Sequence, residues 1–285
     1  MTQNKTNILK EFQRGLFILI ALLAHVSIQG QTLETETNLV LPLETSYRAA
    51  CIGSSSQTDL NINNVRVRLR AGGDVWWDGN NSHYVVPNIE AGSGEPEVSA
   101  LFAGAIWLGA YDDGGNLILA AQTYRGRGND YWTGPLDPDL GTIQKLECER
   151  WDKHFRVMGD DITDLRNDYL DVENPGVQNT PSRGLLGWPG RGNPYFSSIH
   201  GFDILSYNQD LAPFLDANND GTYNPYDGDH PIIEVIGCDQ SNYFNPVYAD
   251  EMIWWVYNDN GDLHGQSNGQ PMKMEIQALS FAYST

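Results

Sequence analysis

The chain has 285 residues, with 37 acidic side chains against 17 Lys and Arg and a formal net charge of −20. Nucleic acid and anionic membrane surfaces are poor partners for so acidic a body. The acids are spread among Gly, Asn, Trp and Tyr rather than set in blocks, so an ordered core is expected instead of disorder.

Residues 1–30 carry the pattern of a signal peptide. Lys5, Lys10 and Arg14 form a basic region, Leu16 to Ala24 is a short apolar run, and Ile28 and Gly30 suit a cleavage site that leaves Gln31 first. The alternative is an N-terminal anchor, but the run is short for a bilayer span. No later stretch is long and apolar enough, so no transmembrane segment is expected after cleavage. Without residues 1–30 the chain has 255 residues, 36 acids and 14 bases. Secretion or display at the cell surface through Sec is the expected localisation.

Residues 31–60 are polar and weakly patterned, and are expected to form a loose lead into a β-rich domain over 61–285. Val65, Val67 and Leu69 alternate with Arg66, Arg68 and Arg70, the period of a half-buried strand. Val75-Trp76-Trp77 lies between turn segments, and Tyr84-Val85-Val86 reads as a strand stopped by Pro87. Leu101–Tyr111 and Leu117–Tyr124 read as strands joined at Asp112-Asp113-Gly114-Gly115-Asn116, a hairpin signal. Helix is expected only within Trp151–Tyr169, where Asp161 or Thr163 would cap it. Residues 174–194 read as a long ordered loop. Ile232–Ile236, Met252–Tyr257 and Met272–Tyr283 complete the strands. The expected fold is mainly β and β-sandwich-like, with long ordered loops, one short helical segment and a calcium-binding loop.

That loop is Asp216 to Asp227, D-A-N-N-D-G-T-Y-N-P-Y-D. Asp216, Asn218 and Asp220 supply oxygens at positions 1, 3 and 5, and Gly221 at position 6 permits a sharp turn. Thr222 offers its carbonyl at position 7, Asn224 fills position 9 and Asp227 closes position 12. Ca²⁺ takes six to eight oxygens, and this spacing is that of an EF-hand loop. Asp in place of Glu at the end is similar to dockerin-type loops. Asp229 lies just past it and is expected to support the ligands from outside. From Gly192 to Met272 there are twelve acids and no Lys or Arg, so no nearby cationic side chain in sequence neutralises the loop. The alternative is an Asx-rich surface turn. Pro225 argues against an exit helix.

Cys51, Cys148 and Cys238 allow three single-disulfide pairings, among which sequence does not choose. His83, His154, His200, His230 and His264 are scattered and form no zinc pattern. No G-x-S-x-G elbow, H-E-x-x-H helix or Walker loop is present, and no catalytic residue is assigned. A second functional reading is a carbohydrate-binding or glycoside-hydrolase-associated module, with Trp76, Trp77, Trp132, Trp188, Trp254 and Trp255 as candidate stacking rings. In a strand, a Trp-Trp pair places one ring on each face.

The ordered phrases N-N-V-R-V-R-L-R-A-G-G-D-V-W-W-D (63–78), L-F-A-G-A-I-W-L-G-A (101–110), A-A-Q-T-Y-R (120–125), D-Y-W-T-G-P-L-D (130–137) and W-P-G-R-G-N-P (188–194) precede the loop phrase 216–231 and W-W-V-Y-N-D (254–259). Together, over residues 60–285, they resemble the N-terminal part of large secreted Bacteroidetes proteins that carry a type IX secretion sorting domain. The resemblance implies an exported structural or binding module within a larger protein, with a protein or glycan partner at the cell surface and no catalytic residues to carry over. The chain departs from that pattern at Ala282-Tyr283-Ser284-Thr285, where no sorting domain follows, so a β-rich domain truncated at its C-terminus is expected and translocation across an outer membrane is left open.

Overall fold

A computed structural model describes residues 49–89, 93–123, 128–204, 209–233 and 247–284. The expected signal peptide, residues 31–48 of the lead and Cys238 lie outside these residues. The described residues belong to one compact unit, 48–285. The architecture is mainly β, in several antiparallel sheets.

The first sheet has six strands: β1 (Gln57–Leu60), β2 (Arg66–Arg70), β3 (Asp74–Val75), β4 (Tyr84–Val85), β5 (Ser99–Leu101) and β6 (Gly104–Ala105). In β2 the alternation does what its period predicts: Val67 and Leu69 are buried while the arginines between them are half-exposed. Within the expected loose lead, β1 pairs along its whole length with β2, from Gln57 opposite Arg70 to Leu60 opposite Val67. Its apolar content is too low to announce a strand, and its pairing comes from β2. The expected hairpin forms as β7 (Trp107–Tyr111) and β8 (Leu117–Ala121), with Tyr111 opposite Leu117 and Gly115 left-handed at φ 78°.

The second large sheet is built around β13 (Glu251–Asn258), flanked by β10 (Phe155–Met158) and β9 (Trp132–Thr133) on one side and β14 (Glu275–Ala282) on the other. All eight residues of β13 are buried. Met252, Trp254 and Val256 enter one core cluster with Trp151, Phe155 and Ile162. Ile253, Trp255 and Tyr257 enter another with Leu60, Val67 and Leu69 of the first sheet. A strand covered on both faces has no need of a polar alternate face, which is why its sequence is nearly continuously apolar.

Helix is more abundant than the single segment expected. The helices among the described residues are α1 (Lys145–Arg150), α2 (Gly159–Tyr169), α3 (Arg183–Leu186) and α4 (Phe196–His200). Within 151–169, Phe155 and Val157 follow a period of two and form β10; only the remainder is α2. Its cap is Met158, without a side-chain bond, and Asp160 and Asp161 lie in the first turn, where carboxylates favour the positive end of the helix dipole. Gly159 is required there because a Cβ would meet the Ala249 carbonyl oxygen at 2.5 Å. The stretch 174–194 is loop only in part, since α3 occurs inside it.

Two cross-links fasten the N-terminal segment to the second sheet. Cys51 and Cys148 form a disulfide, with Cα atoms 5.9 Å apart, beside Trp132 of β9. Glu251, buried on β13, is paired with Arg156, which also donates to Thr58 Oγ1 at 2.7 Å and the Asp59 carbonyl at 2.6 Å. Among the described residues no helix is long and apolar enough to cross a membrane.

Candidate metal-binding loop

β11 (Phe214–Leu215) and β12 (His230–Pro231) form a two-stranded antiparallel ribbon, and residues 216–229 are the connection between them. The pairing Leu215–His230 therefore brings the two ends of the acidic segment together. Inside it, Asn219 and Gly221 are left-handed, at φ 61° and 78°, so the backbone coils tightly between positions 4 and 6.

That coil gathers the first three expected ligands. Asp216 Oδ1 and Asn218 Oδ1 both accept from the Asp220 amide, at 3.2 and 3.0 Å, and Asp216 Oδ2 accepts from Gly221 N at 2.7 Å. Asn218 Nδ2 donates to Asp220 Oδ2 at 3.0 Å, and Asp220 Oδ1 accepts from Thr222 N at 2.8 Å. The other two side chains pair with each other: Asn224 Nδ2 donates to Asp227 Oδ2 at 2.7 Å. Asn224 Oδ1 accepts from Tyr226 N at 3.1 Å, capping a 3-10 turn over Pro225–Asp227. Pro225 thus permits one short turn in place of an exit helix.

The donor set is oxygen-rich and acidic, which suits a hard cation. Its arrangement is in two parts, 216–220 and 224–227, and no group of three Asp, Glu, His or Cys side chains is poised to hold a metal among the described residues.

Asp229 joins the two parts. Its carboxylate is fully buried, with Oδ1 accepting from Ala217 N at 2.8 Å and Oδ2 from Asn224 N at 2.9 Å. Burial pushes this carboxyl up to about 6; the two N–H donors oppose the shift, and the negative charges of Asp216 and Asp220 add to it.

The segment around Arg191, expected as loop, holds the motif in place. Arg191 Nε donates to the Gly221 carbonyl at 2.8 Å, and the Arg191 carbonyl accepts from Tyr223 N at 2.7 Å. Tyr223, fully buried at position 8, donates its hydroxyl to the Leu185 carbonyl at 2.8 Å. Gly190 is there because a Cβ would lie 2.6 Å from Tyr223 Cβ. The glycines either side of Arg191 were the available signal, since they let this backbone pass close to another element.

Most of the candidate sugar-stacking rings do not reach the surface. Trp77, Trp132, Trp188, Trp254 and Trp255 are buried, and Trp76 is half-buried against Tyr84. The Trp254-Trp255 pair does place one ring on each face of its strand, but both faces are core. The exposed tryptophan is Trp107, which is not among those candidates. No known protein family matches the chain, and neither a curated protein nor a solved structure matches it.

Proposed function

We propose that this chain is an exported structural and binding module of the cell surface, locked by Ca²⁺ at residues 216–227 and belonging to a larger secreted protein. The carrying observation is the convergence of Asp216 and Asn218 oxygens on a single amide, Asp220 N, in a loop whose ends are clamped by an antiparallel ribbon. Asp216, Asn218, Asp220, Asn224 and Asp227 would hold the ion through side chains, and Thr222 through its carbonyl. The ion supplies charge neutralisation; Asp229 holds the two halves of the loop together from behind. The signal-peptide pattern of residues 1–30 and the resemblance over 60–285 support export, and a β-sandwich-like packing of the two large sheets is the accompanying fold reading.

Extracellular calcium modules bind at about 10⁻⁴–10⁻³ M, so the role fits structural locking better than signalling. Native-state binding adds RT ln(1 + [L]/Kd), about 2.7 kcal/mol when free calcium is a hundredfold above Kd. Thermal unfolding of the full chain in excess calcium and in chelator tests this. The melting temperature should rise with calcium; Asp216→Ala should lose most of that rise, while Asp262→Ala, in a separate turn, should keep it. Superimposable melting curves in calcium and chelator would refute the reading.

A further inference from the structure

The hairpin β7–β8 has two unlike faces. Leu108 and Ala120, which are opposite each other, pack against the core shared by the two large sheets. Alternation puts Trp107, Gly109 and Tyr111 on the other face, with Leu117 and Leu119 beside them. The outer part of that face is in solvent, with Trp107 66 % exposed, Tyr111 75 % and Leu117 59 %, while Leu119 is half-buried and Ala121, opposite Trp107, is buried.

Trp107 is not a loose surface ring. It is opposite Ala121, and its Nε1 donates to the carbonyl of the next residue, Gln122, at 3.0 Å. The indole therefore lies across β8, with Ala121 buried, and turns a π-face outward with its only N–H already used. Gly109 adds no side chain between the two rings. Trp107 and Tyr111 are four residues apart on one strand, about 14 Å. The turn beyond Tyr111 is held by Asp112, which accepts from Asn116 N at 2.7 Å and from its side-chain amide. Residues 98–123 contain no Lys or Arg, and their acids are Asp112 and Asp113.

We propose that this face binds a neutral polysaccharide chain. Flat π-faces attract the weakly positive C–H faces of sugar rings, as they attract the positive edges of other rings. Two such faces about 14 Å apart call for several linked sugars rather than one. Acid without base at the site disfavours anionic glycans and nucleic acid, and Asp113 at the tip offers an acceptor for hydroxyls. The hairpin shares no residue with the calcium loop, so this site stands or falls independently of the metal reading.

The test is affinity electrophoresis of the full chain in gels containing hydroxyethyl cellulose, xyloglucan, galactomannan or a soluble β-1,3-glucan, with alginate as the anionic control. Each gel is run in calcium and in chelator. At least one neutral polymer should retard the protein and alginate should not. Trp107→Ala and Tyr111→Ala should each weaken the apparent affinity about tenfold, and Trp107→Phe should retain most of it. Near-ultraviolet circular dichroism verifies that each variant is folded. Absence of retardation in all four neutral gels would overturn the proposal, as would equal retardation of Trp107→Ala and the parent. So would a parent dimer in sedimentation that Trp107→Ala converts to monomer, since the face would then be a self-association surface.

Discussion

β13 and β7 are both short antiparallel strands rich in aromatics, and they have opposite fates. Glu251–Asn258 is buried at every position, whereas Trp107–Tyr111 is exposed at four of its five. Composition does not separate them; position does. β13 is central, with β10 and β9 on one edge, β14 on the other and a core cluster against each face. Among the described residues β7 pairs with β8 alone, and its covered face is held by Leu108. A tryptophan in the first setting maintains stability, and one in the second is available to a ligand.

The strongest way to break this contrast is to exchange the fates of two tryptophans. Trp254, 1 % exposed, packs against Phe155 and Trp151 at centroid distances of 5.8 and 6.5 Å. Trp254→Ala should destabilise by about 3–5 kcal/mol, and Trp107→Ala by about 1 kcal/mol, the order of one net hydrogen bond and one cross-strand contact. Urea unfolding of both variants measures the difference. Equal losses would mean that the hairpin ring is structural after all.

The disulfide is a comparably large lever, because it pins residue 51 beside β9, at the flank of β13. Its loop of 97 residues contains the whole hairpin. Loop-closure entropy gives about 4–5 kcal/mol for a loop of that size. Cys51→Ala together with Cys148→Ala should lower stability by that order in denaturant titration, with little effect on retardation of the surviving folded fraction in polysaccharide gels.

A third, smaller effect comes through the other tryptophan of β13. The His154 ring lies 5.4 Å from Trp255, and its Nε2 has no hydrogen-bond partner among the described residues. Burial pushes His154 down to about 4, with Asp152 opposing and Arg156 assisting. Below an unfolded value near 6.5 the unfolded chain binds a proton that the native ring refuses, so this contribution is complete above about 6.5 and is lost as pH falls toward 4. The loss is at most roughly 3 kcal/mol. Asp229, raised by burial, slopes the opposite way, so the observable is a difference: the stability of the parent minus that of His154→Gln should climb by up to that amount as pH rises from 4 to 6.5. Parallel curves would remove His154 from the account.

The loop 216–227 shows how far local sequence reaches. Positions 1, 3 and 5 come together as their spacing implies, because Asn219 and Gly221 adopt left-handed conformations that the D-x-N-x-D-G pattern permits. Positions 9 and 12 pair with each other, through a cap on the 3-10 turn that Pro225 starts. The Arg191 clasp was not legible, because it depends on two segments thirty residues apart in the chain meeting across Tyr223.

By itself, the sequence determined what depends on near neighbours: the β2 alternation, the Asp112–Asn116 turn, the coil of 216–221 and the acidic balance. Period and turn chemistry are local, and they survive whatever the rest of the chain does. Tertiary contacts brought Cys51 to Cys148, made Gln57–Leu60 a strand, and divided 151–169 into β10 and α2. They also decided which tryptophans meet water. Burial is a property of what covers a face, and the layers over β13 are supplied by residues as distant as Leu60 and Ile162. No window of sequence around Trp254 or Trp107 contains them.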